Sequence, residues 1–221
     1  IVTEPTGLDV CVAHKGFVWL DVETHGVAAH GSLPDLGVDA IAKMGKVLVG
    51  IEHLDKALRS APSHPLLKSG SIHASLIEGG SELSTYPDRC LLRVERRTVP
   101  SETADVVESQ LNGIISGLAA SDPDVKATVT RGLVREPFEV GADEPIVQIL
   151  RKHAAAITAR EPAMIGETGW MDSALLSAAG IPTVIFGPDG DGAHAAVEWV
   201  NLDHVEQCRQ VYLAVAREFC A

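Results

Sequence analysis

The 221-residue chain has few aromatic side chains, a deficit of basic ones and no long apolar run. Eighteen lysines and arginines stand against thirty aspartates and glutamates, which leaves a formal net charge of −12. Nucleic acids and anionic membranes select basic surfaces, so this balance argues against both as partners. No stretch approaches the roughly 20 apolar residues that span a bilayer, and no signal-peptide pattern opens the chain.

The cysteine spacing excludes further classes of protein, and so does the absence of several catalytic and nucleotide-binding motifs. Cys11, Cys90, Cys208 and Cys220 lie far apart and form no CxxC pair. They indicate neither a disulfide framework nor a cysteine zinc site, and they predict a protein of the reducing cytoplasm. P-loop, GxSxG and HExxH motifs are absent, and the glycine-rich stretch 187–192 lacks the spacing of a phosphate cradle. The chain starts at Ile1 with residues that already indicate structure, so we expect it to be part of something longer.

Hydrophobic periodicity over residues 17–131 predicts the order strand, helix, strand, strand, helix, strand. This βαββαβ order is typical of a ferredoxin-like unit with both helices on one sheet face. The other face carries Glu23, His73, Ser75, Arg93 and Arg97 and is therefore polar. The residues predicted to be buried are Val18, Leu20, Val22, Ile72, Ala74, Leu76, Leu92 and Val94 in strands, and Ile41, Met44, Leu48, Ile51, Leu54, Leu58, Val107, Leu111, Ile114 and Leu118 in helices, the second helix being capped by Ser101.

The flanking residues predict a separate α/β layer. Residues 1–14 contain a short strand, 145–159 a helix that opens with Pro145, 172–179 a short helix and 182–186 a buried strand. A final helix presents Leu202, Val205, Cys208, Tyr212, Val215 and Phe219. The predicted fold class is therefore α/β: a βαββαβ unit inserted into an α/β domain of which only the later part is present. The predicted boundaries are 1–15, 16–135 and 136–221.

Three short segments could carry chemistry. Glu4 precedes Pro5 in an apolar setting, and His30 lies among small residues after the first strand of the inserted unit. His194 follows a predicted strand at the carboxyl edge of a sheet, where open α/β sheets bind ligands. Taken singly, a glutamate before proline is usually loop and a lone loop histidine is usually solvated.

Together, longer motifs around these segments resemble one family. Residues 26–41 follow the pattern G-x-x-x-H-x-S-x-P-x-x-G-x-[ND]-A-[IL], and residues 4–7 read Glu-Pro-Thr-Gly. Residues 95–100 read Glu-Arg-Arg-Thr-Val-Pro, and residues 180–188 lead into Ala193-His194. These motifs resemble the zinc-dependent aminoacylase, deacetylase and carboxypeptidase family, which includes acetylornithine deacetylase, succinyl-diaminopimelate desuccinylase and carboxypeptidase G. The resemblance covers nearly all of the chain.

The resemblance implies a role for each matching residue. Glu4 and His194 would be ligands to two different zinc ions, and His30 would reach the partner subunit's site and polarise the scissile carbonyl. Arg97, with Arg135 as a weaker candidate, would grip a substrate carboxylate, and Gly187 would also bind substrate. An ion pair of Arg97 with Glu95 or Glu23 is the alternative to that role. Asp172 matches an acidic position of the family or, equally, caps a helix.

The resemblance also implies an activity, with two departures from the family pattern. Ser84 stands where the family has an asparagine, and Met171 where it has a threonine. We expect metal-dependent hydrolysis of an amide bond in an N-acyl amino acid or small peptide, with two zinc ions, or cobalt or manganese, per complete site. Segments 1–15 and 136–221 would belong to the catalytic domain, and 16–135 would be a lid that forms a homodimer.

Because the family's amino-terminal ligand half is missing from these residues, the chain alone should be inactive. The competing interpretation is a non-catalytic, dimeric ferredoxin-like module that binds small carboxylates through Arg97 and Arg93.

Overall fold

The computed structural model describes residues 1–221, and they divide into two units. The inserted unit is Gly16–Glu136, and the split unit combines Ile1–Lys15 with Pro137–Ala221. The strands are β1 Val10–His14, β2 Gly16–His25, β3 Ser71–Gly79, β4 Arg89–Thr98, β5 Lys126–Arg135, β6 Phe138–Glu139, β7 Met164–Glu167, β8 Gly190–Asp191 and β9 Trp199–Val200. The helices are α1 Ala40–Ser60, α2 Ala104–Ser121, α3 Pro145–Thr158, α4 Ser173–Ala178 and α5 Leu202–Phe219.

The inserted unit has the predicted βαββαβ order. Its four strands form an antiparallel sheet in the order β3-β4-β2-β5, with α1 and α2 packed on the core side. Alternation along β2 buries Val18, Leu20 and Val22, as predicted, because successive side chains of a strand point to opposite faces. Leu92 and Val94 of β4 join them in the core. The ferredoxin-like prediction is confirmed.

Both helices of the inserted unit start at side-chain caps. The Asp39 carboxylate accepts the Ala42 N–H before α1. Ala40, Met44, Val47 and Ile51 of α1 are buried at helical spacing, so the predicted burial of Ile41 is wrong. Thr103, not Ser101, caps α2. Ser101 lies in a turn at φ 81°, which delays the helix by two residues.

The predicted burial of β3 side chains is also wrong after Ile72, the second residue of the strand. Ile72 is buried, but Ala74 and Leu76 are exposed. The pairing of β3 with β4 shifts register between Ala74 and Leu76, which interrupts the alternation of faces. As an edge strand, β3 also lacks a neighbour on one side.

The split unit is built around β1. This strand pairs antiparallel with β6 and parallel with β7, and α3 and α5 pack together beside it. Residues 184–186 are fully buried; Ile185 exchanges backbone hydrogen bonds with Cys11 and also bridges Val2. This run therefore pairs through isolated bridges rather than as a ladder strand.

The helices of the split unit form where they are predicted, but the buried face of α5 differs from the prediction. The predicted helices over 145–159 and 172–179 are confirmed as α3 and α4. In α5, Cys208, Val211 and Val215 are buried, whereas Leu202, Val205 and Phe219 are exposed, contrary to prediction. The strands β6, β7, β8 and β9 are not predicted by the sequence patterns. No helix of the chain is both long enough and apolar enough to span a bilayer.

Candidate functional site

The Glu4-containing segment lies directly against Gly187 in the split unit. The Thr6 hydroxyl oxygen accepts the Gly187 N–H at 3.0 Å, and the Leu8 N–H donates to the Gly187 carbonyl at 2.9 Å. Both backbone polar groups of Gly187 are therefore engaged within the unit. A Cβ at position 187 would lie 2.2 Å from the Glu4 carbonyl oxygen, so the close approach requires glycine.

Glu4 shares a surface cavity with Asp172. The cavity, of about 510 Å³, is also lined by Ile1, Val2, Thr3, Leu175 and Leu176. Asp172 occupies the N-cap position of α4, as the helix-cap interpretation predicts, but its side chain makes no capping hydrogen bond. The cavity thus has two carboxylates on otherwise largely apolar walls.

His194 lies in the loop that joins β8 to β9. It is exposed and has φ 62°, in the left-handed region, and Gly192 two residues earlier has φ 82°. A second cavity, of about 310 Å³, is lined by Pro5 and by residues of this hairpin: Gly190, Asp191, Ala193, Glu198, Trp199 and Val200. The hairpin and the segment that follows Glu4 therefore share one cavity.

Glu4 and His194 do not form a metal site by themselves. Residues 1–221 contain no group of three or more histidine, cysteine, aspartate or glutamate side chains placed to hold a metal ion. A catalytic zinc takes three protein ligands, so these two residues could supply only part of a donor set.

A buried histidine to which the resemblance assigns no role, His14, lies next to α4. His14 has no exposed surface; its Nδ1 is 3.0 Å from the Lys15 carbonyl oxygen and its Nε2 is 2.8 Å from the Ser173 hydroxyl. Its ring stacks on Phe138 with centroids 5.4 Å apart. Burial lowers the pKa of His14, so the imidazole is held neutral. The sequence signal that could have identified it is its place at the end of the apolar run Val-Cys-Val-Ala-His, which forms β1.

Two acidic groups near this histidine also have altered pKa values. Burial raises the pKa of the Cys11 thiol to about 11, so it is not a reactive thiolate. Burial likewise raises the pKa of the Glu167 carboxyl at the end of β7. Burial in this part of the split unit therefore disfavours the charged forms of the His14, Cys11 and Glu167 side chains.

The predicted catalytic residue of the inserted unit, His30, is exposed on a loop held by backbone pairing. The Tyr86 N–H donates to the Ala29 carbonyl at 2.8 Å, and the Gly31 N–H donates to the Ser84 carbonyl at 2.7 Å. The Ser32 N–H donates to His30 Nδ1 at 3.2 Å, and the Ser32 hydroxyl lies 2.7 Å from the same nitrogen. Since Nδ1 accepts, the neutral ring carries its proton on Nε2, which is left to face outward as a donor.

The two arginines predicted to bind substrate fall in one row across the sheet. Phe17 of β2 pairs in register with Arg97 of β4 on one side and Arg135 of β5 on the other. Residues paired in register project to the same face, here the polar one. Arg97 does form the ion pair with Glu95, at 2.6 Å, whereas Glu23 pairs with Arg89.

Comparison with known families agrees with this arrangement of segments. Residues 12–123, just over half of the chain, match the peptidase dimerisation domain of the M20 family. The chain belongs to the M20 peptidase family. The resemblance inferred from the motifs is therefore confirmed, and the βαββαβ unit is the M20 dimerisation, or lid, domain.

Curated M20-like relatives align along the chain at modest identity. Acetylornithine deacetylase of Myxococcus xanthus is 27% identical over 226 residues, which cover 100% of this chain and 57% of the relative. N-formyl-4-amino-5-aminomethyl-2-methylpyrimidine deformylase of Bacillus subtilis is 26% identical, covering 87% of this chain and 49% of the relative. The chain thus spans about half the length of the curated relatives it matches.

Solved structures share the fold. Aminopeptidase PepT from Bacillus cereus superposes with a TM-score of 0.79 at 17% identity, covering 100% of this chain and 56% of that one. The di-peptidase Dug1p from Saccharomyces cerevisiae gives 0.68 at 12% identity, covering 97% and 56%. At these identities the similarity concerns the fold alone.

Proposed function

We propose that the protein containing residues 1–221 hydrolyses an amide bond in an N-acyl amino acid or small peptide, in a metal-dependent reaction. The observation that carries this proposal is the junction of the Glu4 segment with Gly187, next to the cavity shared by Pro5 and the His194 hairpin. It gains support from relatives named as a deacetylase and a deformylase, both of which cleave an acyl group.

Glu4 and His194 are proposed as ligands to two zinc ions, for which cobalt or manganese could substitute. A carboxylate and an imidazole suit these metals, which act as Lewis acids in hydrolytic sites. The remaining ligands would have to come from outside residues 1–221, because no group of three is present within them. The chain alone is therefore proposed to be inactive.

His30, Arg97 and Arg135 keep their proposed roles, whereas the role of Gly187 changes. His30 would serve the partner subunit's site in a homodimer formed through the lid, where its outward Nε2–H could donate to the substrate carbonyl. Arg97 and Arg135 would bind the substrate carboxylate. Gly187, predicted to bind substrate, has both backbone polar groups engaged within the unit, so it would instead allow the close approach of the Glu4 backbone. Segments 1–15 and 136–221 would be catalytic, 16–135 the lid, and the compartment the cytoplasm.

Activity assays on the protein that carries this chain test the proposal. N-acetylornithine, other N-acetyl amino acids and dipeptides would be supplied with zinc, cobalt or manganese, with and without a chelator. We expect hydrolysis that the chelator abolishes and that His194→Ala lowers by more than about a hundredfold. His53→Ala, on the exposed face of α1, is the matched control. Activity that survives both the chelator and His194→Ala would contradict the proposal.

A non-catalytic carboxylate-binding module is the second candidate. It is favoured by the location of Arg97 and Arg93 in the same strand, β4, of the inserted unit, since binding through these arginines requires no metal ligand. Calorimetry of the 221-residue chain against N-acetyl amino acids distinguishes the two candidates. Binding together with no turnover by the whole protein would favour the module, and absence of binding by the isolated chain would exclude it.

A further inference from the structure

Glu95 lies between two donors on the polar face of the inserted unit's sheet. The Trp19 indole Nε1–H donates to Oε2 at 2.9 Å, and the Arg97 Nε–H donates to Oε1 at 2.6 Å. Each carboxylate oxygen therefore has its own partner. Only 16% of the Glu95 side chain is exposed, so a carboxylate on the solvent-facing side of a sheet is nearly covered.

The Arg97 guanidinium is held on a second side by an aromatic ring. Its central carbon lies 5.2 Å from the centroid of the Phe17 ring, within the range of a cation–π contact. The Phe17 and Trp19 rings are themselves 5.4 Å apart, which joins the four side chains into one cluster. The cluster is thus Phe17, Trp19, Glu95 and Arg97.

This arrangement leaves one edge of the guanidinium open. The Arg97 Nε–H donates to Glu95, and one face of the guanidinium plane is covered by the Phe17 ring. No hydrogen bond within residues 1–221 engages the two Nη groups of Arg97. Two parallel Nη–H donors match the two oxygens of a carboxylate. An arginine already fixed at Nε also loses less rotamer freedom on binding than a mobile one.

We propose that Glu95 is a positioning residue that orients Arg97, through the Nε contact, so that both Nη groups meet a substrate carboxylate. This inference rests on the proposed function, in which Arg97 binds that carboxylate. The Glu95 charge also offsets part of the Arg97 charge, so orientation rather than net attraction is its contribution. Trp19 fixes Glu95 in turn, and Phe17 supports the guanidinium plane.

Burial raises the pKa of the Glu95 carboxyl, yet hydrogen bonds from Trp19 and Arg97 and the nearby Arg97 charge hold it below its usual value. Glu95 is therefore ionised at neutral pH. In Glu95→Gln one of the two carboxylate oxygens is replaced by an NH2 group, which cannot accept, so the hydrogen bond from Trp19 or from Arg97 at that atom is lost.

The test is a comparison of KM and kcat in the protein that carries this chain. For an N-acetyl amino acid, we expect Glu95→Gln to raise KM about tenfold, corresponding to about 1.4 kcal/mol, and to change kcat less than about twofold. For the matching N-acetyl amino acid amide, which lacks the carboxylate, KM should not change. In an Arg97→Ala background, Glu95→Gln should add nothing, because the group it orients is gone.

Two further variants distinguish a loss of Arg97 orientation from general disturbance of the sheet. Trp19→Phe keeps the Arg97 contact and removes only the donor to Oε2, so we expect a smaller rise in KM, of about threefold. Glu23→Gln breaks the Glu23–Arg89 ion pair of the same sheet, 2.6 Å long, and should leave KM unchanged.

Equal effects of Glu95→Gln on the acid and amide substrates would overturn the inference. An Arg97→Ala variant with normal KM for the acid would overturn it as well. Calorimetry with N-acetyl-L-leucine provides a readout that does not need turnover: wild type should bind more tightly than Glu95→Gln. If the wild type binds in this way but hydrolyses nothing, the proposed function fails and the role of Glu95 stands. If Glu95→Gln binds as tightly as wild type, the role of Glu95 fails.

Discussion

Arg96 and Glu102 form an ion pair at the end of β4, with Nη2 2.5 Å from Oε1 and no part of the Arg96 side chain exposed. Arg96 Nη1 also donates to the Arg97 carbonyl. The second Glu102 oxygen accepts the Val99 N–H at 2.9 Å, which ties the turn before α2 to the strand. A charged side chain therefore occupies the core face of a strand whose other inward residues are apolar or hydroxyl-bearing.

Removing one partner of this pair should destabilise the protein strongly. Glu102→Gln leaves the Arg96 charge buried without a counter-charge, and we expect the free energy of unfolding to fall by about 3 kcal/mol. The double variant Arg96→Met/Glu102→Gln should be more stable than Glu102→Gln alone, because no buried charge remains. Urea denaturation followed by circular dichroism measures both. A loss below about 1 kcal/mol for Glu102→Gln would contradict the expectation.

Two histidines should hold opposite neutral tautomers. His30 accepts the Ser32 N–H at Nδ1, so its proton resides on Nε2. His14 Nδ1 faces a carbonyl oxygen, so its proton resides on Nδ1 and its Nε2 accepts the Ser173 hydroxyl. Long-range 15N–1H correlation spectra, recorded where imidazoles are neutral, should show the two patterns in one sample. Ser32→Ala should leave the His30 tautomer unchanged, since the backbone donor remains.

Stability should fall as the pH drops below about 6.5, the usual pKa of histidine. Burial lowers the pKa of His14, so in this range the unfolded chain binds a proton that the folded chain does not, and protonation favours unfolding. Glu167 has the opposite effect in its own range: because burial raises the pKa of its carboxyl, the free energy of unfolding falls as the pH rises above 4.5, the usual value for that group.

The matched variant isolates the His14 contribution. His14→Gln removes the titrating group while keeping hydrogen-bonding capacity, so its unfolding midpoint in urea should depend less on pH between 7.5 and 5.5 than that of wild type. His53→Gln, on the exposed side of α1, should behave like wild type. An identical pH dependence for His14→Gln and wild type would refute the assignment.

Gly187→Ala should destabilise the split unit by about 1–3 kcal/mol, the usual range for forcing extra volume into a packed region. The new methyl group would lie 2.2 Å from the Glu4 carbonyl oxygen, so the Glu4 segment must shift. Gly169→Ala is the control, because a Cβ there meets no atom within 4 Å. Thermal unfolding should show a lower midpoint for Gly187→Ala than for wild type, and an unchanged midpoint for Gly169→Ala.

Much of the inserted unit could be predicted from periodicity. One-sided burial imposes a period of two on β2 and β4 and of 3.6 on α1 and α2, so these elements and most of their core residues can be predicted from the sequence. The resemblance added Glu4, His30 and His194, which no periodic pattern marks. By contrast, β7 has only four half-buried residues, too few to show a period.

Residue order alone thus established the element sequence of the lid and its M20 membership, because amphipathic spacing and motif spacing are properties of the chain itself. Tertiary structure decided the features that depend on long-range neighbours. The register shift in β3 exposes Leu76. The Glu102 carboxylate neutralises the buried charge of Arg96 on the core face of β4. Burial and hydrogen-bond partners come from residues distant along the chain, and for that reason they cannot be read from local pattern.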